Sequence, residues 1–418
     1  MPKSIVIVGG SLAGLMHGLL LKRLGNNVII LEQDPSSERF SNQAGIGLED
    51  NVDEFLNRFD ATGLTASLAC QFVHIAYPTW PKSMTFKSPR KLSSWGLLYR
   101  ILRANFDAFS SPACPNPPPP LEGDGRADYR PGQRVTDLQY SDGVVTVYFE
   151  DISNHKVDLL YADLVIGADG IHSTVRKLVG AQGTERYAGY VTWRGTVPEK
   201  LVSKDTLQYF SDRACTINMK RMYALCYTIP TDTGSFEPGE RLLNWVLYYN
   251  VERDSPELRD ILTDVSGKEH HNTVPQGMVR PDVWKRTCDV IMPQMAAPFV
   301  ELLSKTTTPF VTKVNDALYN TASFYDDHLI LVGDALATFR PHIARATEQA
   351  AFQCLSLAKV WANEQTYQQW DHEVGVYAKR MCLLSIVVGK FGQGSTIEFL
   401  KSFFFYLVFI IRIKLGYY

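Results

Sequence analysis

Four apolar residues in a row, Ile5-Val6-Ile7-Val8, run straight into Gly9-Gly10-Ser11-Leu12-Ala13-Gly14, and this junction restricts the fold more than any other part of the chain. A short apolar run that ends at glycines reads as a buried strand entering a tight turn. Beyond it Leu12, Leu15, Met16, Leu19 and Leu20 recur at helical spacing until Gly25, where the helix should stop. A second apolar run, Val28 to Leu31, then delivers Glu32. Strand, turn, helix, strand and terminal acid at these offsets are the layout of a βαβ dinucleotide-binding unit. The glycines let the turn close and the helix pack on the strand, and the first N–H groups of the helix face a pyrophosphate. Gly9, Ser11, Leu12, Ala13 and Gly14 are the expected contacts, and Glu32 should accept hydrogen bonds from the adenosine ribose. Ser11 stands where the pattern has its middle glycine. An acid at Glu32 favours FAD or NAD over a 2′-phosphorylated nucleotide, and the motif does not choose between them.

The rest of the chain bounds the answer. Its 418 residues are 45% hydrophobic and 21% charged, which excludes a disordered chain, a collagen-like rod and a small disulfide scaffold. With 42 Lys+Arg against 44 Asp+Glu there is no field to hold nucleic acid, so small-molecule partners are expected. The 7 cysteines are scattered without a C-x-x-C pair, so neither a disulfide frame nor a metal site is indicated, and a reducing, cytoplasmic compartment fits. The amino terminus lacks the pattern of a secretion signal. Pro112 to Pro120 reads as a surface connector, and Arg134–Tyr140 and Val144–Glu150 alternate around Ser141-Asp142-Gly143 as a hairpin. Further strands are expected at 164–166, 190–197, 222–229, 244–250 and 329–332, and the last third should be mostly helical. The order implies an α/β nucleotide domain interrupted by a β-rich one.

Two later segments narrow the cofactor. Gly167-Ala168-Asp169-Gly170-Ile171-His172 resembles the DG motif of aromatic-ring hydroxylases, and Leu331-Val332-Gly333-Asp334-Ala335 resembles their GD motif. With the first turn, these resemble the signatures of the single-component (group A) FAD-dependent aromatic hydroxylases, the family of p-hydroxybenzoate hydroxylase and salicylate hydroxylase. The resemblance implies an α/β fold in which a Rossmann-like (GR2-type) FAD-binding domain carries an inserted β-sheet substrate domain and a helical C-terminal part. The implied division is 1–72, 98–186 and 285–395 for the FAD-binding parts, 73–97 and 187–284 for the substrate domain, and 396–418 for a hydrophobic tail. It implies that Asp334 holds the ribityl hydroxyls, that Asp169 and Gly170 lie near the pyrophosphate and the passing nicotinamide, and that Arg39 and Arg100 approach the flavin. Arg340-Pro341-His342-Ile343-Ala344-Arg345-Ala346 resembles the variant found in dihydroxypyridine hydroxylases and their fungal relatives, with Ala344 and Ala346 in place of glycines. Backbone N–H groups at Ala344 and beyond would still face the negative charge of reduced flavin.

The same resemblance implies a reaction. NAD(P)H reduces FAD, O2 adds to the flavin as a C4a-hydroperoxide, and an aromatic small molecule is hydroxylated, with or without decarboxylation, in secondary-metabolite biosynthesis. A relay that removes the phenol proton is expected. His342, beside Pro341, and Tyr223 are the first candidates, followed by Tyr227 and Tyr248; packed aromatics or a structural histidine are the plainer reading of each. A flavin-binding protein with impaired turnover, and a flavin dehydrogenase or oxidase, are the alternatives. At the far end Phe403 to Ile411 is unbroken apolar, flanked by Lys401, Arg412 and Lys414. As a helix this run rises roughly 14 Å, too short for a bilayer core of about 30 Å. It reads as a packing segment, as a peripheral membrane contact through residues 399–418, or as an aggregation-prone end.

Overall fold

The structure is a computed structural model that describes residues 2–39, 41, 43–77 and 83–417. Among them, a six-stranded sheet runs in the order Ser323–Phe324, Leu329–Leu331, Leu164–Gly167, Ser4–Val8, Asn27–Glu32, Ala127–Pro131. Every neighbouring pair is parallel except the short Ser323–Phe324 edge. Ile5, Ile7, Ile30, Val165, Ile166 and Leu331 are buried, and the helix Leu12–Arg23 closes one face with Leu15, Met16, Leu19 and Leu20. Both faces are covered, which is why these strands read as continuous apolar runs rather than alternating ones.

Ser4–Val8 lies between Asn27–Glu32 and Leu164–Gly167, so the strand order reverses there and the carboxyl ends open a crevice. Gly9 leaves one strand end with φ +104°, and a Cβ on it would stand 2.5 Å from the Ala168 carbonyl oxygen. A Cβ on Gly14 would stand 2.0 Å from the Gly9 carbonyl oxygen, so the first helix touches the turn backbone to backbone. Gly14→Ala is therefore expected to destabilise the protein by about 1–3 kcal/mol and to lower its cofactor content, read by denaturant unfolding and by the flavin absorbance of purified protein.

A ten-stranded sheet follows the order Thr273–Val274, Phe310–Tyr319, Gly183–Pro198, Leu242–Asn250, Met222–Ile229, Arg213–Met219, Leu68–Ala76, Met84–Ser94, Gly45–Leu48, with Ala337–Thr338 paired to Phe310–Tyr319. One face packs Trp193, Ile217, Cys226, Trp245 and Leu247 against Val283, Ile291, Phe299 and Leu302 of the helices Pro281–Ile291 and Ala297–Lys305. The alternate residues, among them Thr192, Thr216, Tyr223, Leu225, Val246 and Tyr248, line a cavity on the other face. This sheet crosses the boundaries expected at 72 and 284. Gly45–Leu48 joins it through Met84–Ser94, and Phe310–Tyr319 joins it through Gly183–Pro198. A third sheet holds the expected hairpin, with Asp142 and Gly143 both at positive φ, and adds Val157–Ala162.

The carboxyl-terminal part is built on three helices, Ala346–Trp361, Tyr367–Gln393 and Thr396–Lys414. The last two are each opened by a capping box, Thr366 with Gln369 and Ser395 with Glu398, and the terminal helix folds back on its predecessor. No described helix is long and apolar enough to cross a membrane.

Candidate active site

The crevice at the strand ends is a cavity of about 180 Å³ lined by Gly9, Ser11, Glu32, Arg39, Asp169 and Gly170, among others. Glu32 is buried; its two oxygens accept the Gly10 and Asp34 N–H groups, each at 2.8 Å, and Arg39 stands 3.4 Å away. A carboxylate oxygen accepts more than one hydrogen bond, so Glu32 keeps capacity toward the cavity. Ser11 precedes the first helix without capping it through its side chain, which leaves its hydroxyl to the crevice. Leu12 is buried in the core, and a Cβ on Gly333 would meet that of Ala13 at 2.8 Å, so Ala13 docks the first turn on the late Gly333-Asp334 turn. Asp169 accepts the N–H groups of Thr174 at 2.6 Å and Val175 at 3.1 Å and thereby caps the helix Thr174–Leu178. Burial raises its pKa against those bonds.

Arg100 is placed elsewhere. It donates to the Asp232 carbonyl at 2.8 Å and pairs with Glu38, and it lines neither this crevice nor the larger cavity. The spacing that suggested a cofactor contact is also the spacing that puts Arg100 on the helix Trp95–Asp107 between two acids.

The larger cavity, about 1170 Å³, lies between the ten-stranded sheet and the segment from Asp334 to Thr347. Asp334 lines it, no described residue donates a hydrogen bond to its carboxylate, and burial raises its pKa to about 6 against the pull of Arg176. Pro341–Ile343 forms a single tight turn, Ala344 follows at φ +51°, and the helix Ala346–Trp361 starts on the cavity wall. Ala344 thus holds the left-handed backbone that a glycine adopts without strain, at a cost of about 1 kcal/mol. The charges beside it serve a neighbouring element. Arg345 pairs with Glu49 at 2.5 Å, and Glu348, 2% exposed, accepts the N–H groups of Asn51 at 3.1 Å and Val52 at 3.4 Å, capping the helix Asp50–Phe59. Glu348→Ala is expected to cost about 1–2 kcal/mol of stability, measured as a lower denaturant midpoint with an unchanged slope.

His342 is the best-connected side chain in the cavity wall. Its Nδ1 is 2.5 Å from the Tyr223 hydroxyl and its Nε2 is 2.8 Å from the Tyr190 hydroxyl. Tyr248 stacks on Tyr223 with ring centroids 4.3 Å apart and lies 4.4 Å from the His342 ring. Burial, with Arg340 nearby, lowers the His342 pKa to about 3, so the imidazole is neutral, with one N–H to give and one nitrogen to accept. One tyrosine donates to it and the other accepts from it, which makes Tyr223-His342-Tyr190 a hydrogen-bonded chain with its Tyr223 end on the cavity. The long helix Tyr367–Gln393 makes room for it: a Cβ on Gly389 would stand 2.4 Å from His342 Nε2, and one on Gly392 2.5 Å from the Tyr223 ring. Tyr190 is the residue that sequence reasoning missed. It lies within an irregularity in the strand register between Tyr187 and Val191, which no residue pattern announces. Tyr227 lies farther along the wall beside Asn244 and Gly45, outside this chain of bonds.

The arrangement fits FAD on its own features: a turn whose Gly9 and Gly14 leave no room for a side chain, a buried acid at the end of the second strand, and a half-buried carboxylate at Asp334, without a described hydrogen-bond donor, facing a large cavity. A crevice at the strand ends, a large cavity beside it and a hydrogen-bonded Tyr-His-Tyr chain in the cavity wall are the features that a flavin-dependent class of protein needs. Comparison agrees. A family model described as FAD binding domain-like matches residues 187–316. The 2,6-dihydroxypyridine 3-monooxygenase of Paenarthrobacter nicotinovorans is 26% identical over 377 residues, covering 88% of this chain and 86% of that one. The solved structure of 2,6-dihydroxypyridine-3-hydroxylase from Arthrobacter nicotinovorans superposes with TM-score 0.79 at 24% identity, over 95% of this chain and 94% of that chain. Klebsiella pneumoniae HpxO, solved with FAD and uric acid, superposes with TM-score 0.67 at 17% identity, over 97% of this chain and 92% of that chain. The chain is related to the FAD-dependent aromatic monooxygenases and carries their fold.

Proposed function

We propose that the protein is an FAD-dependent monooxygenase that uses NAD(P)H and O2 to hydroxylate a phenolic or other electron-rich aromatic compound, within secondary-metabolite biosynthesis. The observation that carries this reading is the hydrogen-bonded chain Tyr223-His342-Tyr190 in the wall of the cavity that Asp334 also lines. Bound FAD would supply the electron transfer and the activation of oxygen. Asp334 would hold the ribityl hydroxyls, while Gly9, Ser11, Gly14 and Glu32 would hold the adenosine diphosphate end. The start of the helix Ala346–Trp361, with its unpaired N–H groups, would face the negative charge of the reduced ring. Tyr223, held in place by its bond to His342, would hydrogen-bond the substrate hydroxyl and polarise its O–H, which raises the electron density of the ring to be attacked. Pro341 fixes the turn that carries His342. The apolar sheet face excludes water around these groups. A peripheral membrane contact through residues 399–418 belongs to the same proposal.

The test is turnover in isotopically heavy O2 with a panel of phenols and aromatic acids. Heavy oxygen in the product supports the reading; NAD(P)H consumption that no aromatic compound stimulates, with no labelled product, refutes it. A flavin-binding protein with impaired turnover is the second reading, and Ala344 in a left-handed conformation is the observation that favours it. Fast flavin reduction followed by labelled product removes that alternative. Oxygen from labelled water appearing in the product, instead of oxygen from labelled O2, would point to a dehydrogenase or oxidase.

A further inference from the structure

The terminal helix Thr396–Lys414 buries little of itself. Phe399, Ser402, Tyr406, Phe409 and Ile413, spaced by three and four residues, are among its covered or half-covered positions, and Phe409 alone is fully buried. That seam lies on the helix Tyr367–Gln393 in antiparallel fashion, with Phe399 5.6 Å from Phe391 and Lys379 over the Phe409 ring. Large apolar residues remain outside: Ile397 is 79% exposed, Phe404 62%, Ile411 54% and Leu415 65%. An apolar surface this continuous marks a contact with something.

The charge on this hairpin says what. From Val374 to the end of the chain the cations are Lys379, Arg380, Lys390, Lys401, Arg412 and Lys414, and the only acid is Glu398, which Lys390 already neutralises at 2.6 Å. A second copy presenting the same cationic face would repel, whereas a layer of anionic headgroups over hydrocarbon matches both the charge and the apolar side chains.

The site opens at the same place. Phe391, 61% exposed, lines the large cavity and also a second cavity of about 810 Å³, and the two share Asn218, Phe391 and Gly392. Val388, Phe391 and Gly392 belong to the helix on which the terminal helix rests, so the mouth of the cavity stands beside the exposed aromatic residues. We infer that the terminal helix docks the enzyme on an anionic bilayer and that its substrate is a phenol with a long apolar tail, entering from that bilayer past Phe391. The phenolic head would reach Tyr223 while the tail lies along Val388 and Phe391 in the shared space. The substrate class rests on the monooxygenase reading; the docking does not.

The experiment uses the full-length, FAD-loaded protein with vesicles of phosphatidylcholine alone or mixed with phosphatidylserine, and a series of 4-alkylphenols. Co-sedimentation should be at least about tenfold stronger with the anionic vesicles, and the double variant Lys401→Glu, Lys414→Glu should lose that preference while keeping its flavin and its turnover of short, soluble phenols. Equal partition of wild type and variant overturns the docking. So does a concentration-dependent dimer that fails to bind vesicles and that Phe404→Ser dissociates, since a second copy would then cover the face. Binding of the phenols, followed by quenching of flavin fluorescence, should tighten by about fourfold per added methylene over the first several carbons. Binding independent of tail length overturns the substrate class. Neither readout needs turnover, so a protein that partitions and binds long-tailed phenols yet incorporates no labelled oxygen refutes the monooxygenase reading, leaving the docking and the tail-binding space in place with the phenols as ligands and not substrates.

Discussion

Replacing His342 by phenylalanine should lower turnover by about 10²- to 10³-fold while the flavin stays bound. The ring is replaced by one of similar size, so the contacts with Tyr248 and with the long helix persist, and only the two bonds to Tyr190 and Tyr223 are lost. Both phenols are buried and their pKa values are raised well above the ordinary tyrosine value, so both stay protonated and depend on His342 for the bonds that orient their hydroxyls. His342→Gln, which keeps a donor and an acceptor, should recover part of the rate, an outcome that a merely structural histidine would not produce. The sign of the pH dependence follows from a pKa lowered to about 3 by burial. The group stays neutral in the folded state through the whole neutral range, so its own titration should not appear in the rate profile above about pH 5. Below the ordinary histidine pKa of about 6.5 the unfolded chain takes a proton that the folded chain refuses, and His342 then costs stability as the pH falls. Steady-state rates and denaturant midpoints of wild type and His342→Phe across pH 5–8 check both statements.

The second large effect concerns Asp334. Asp334→Ala should weaken FAD binding by about 1–3 kcal/mol, or roughly 5- to 150-fold, through the loss of buried hydrogen bonds to a charged acceptor. Its pKa is raised from 3.8 to about 6 by burial. In the protein without cofactor the protonated form is therefore preferred: the stability this gives is fully present below pH 4 and is lost as the pH rises through about 6, on the order of 3 kcal/mol. Hydroxyl donors from the ribityl chain favour the carboxylate instead. FAD binding should consequently strengthen between pH 5 and pH 7 and release a proton in that window, whereas Asp334→Asn should bind weakly and show neither dependence. Titration calorimetry in buffers of different ionisation enthalpy measures the proton directly.

How far the chain could be read in advance depended on whether each element carries its own local signal. The first turn did, because Gly9 and Gly14 are required by backbone contact and Glu32 by its place at a strand end. The strand Met222–Ile229 was legible to the residue from its aromatic and branched side chains. Met84–Ser94 was not, since a strand rich in Lys, Arg and Ser with Pro89 resembles a loop in composition. The outer limits of the large sheet were also hidden, because Gly45–Leu48 and Phe310–Tyr319 join it only through partners distant in sequence. At the site, His342 and Tyr223 were expected one by one; that they bond to each other, and that Tyr190 completes the set, is a property of packing between three separate segments. Arg345 and Glu348 carry charge into a tight turn for a reason that no local pattern announces: they are ion-pair and capping partners of the segment around Glu49 and Asn51.

The two glycines at 389 and 392 sit in the interior of a helix, where each forfeits about 1 kcal/mol relative to alanine. Any screen that ranks variants by melting temperature or by helix-forming tendency would nominate both as improvements. Each added methyl would instead drive an imidazole or a phenol from its seat. Softness in this stretch of the molecule is thus the condition for keeping those rings aligned, and hardier descendants of the enzyme must find their extra stability elsewhere.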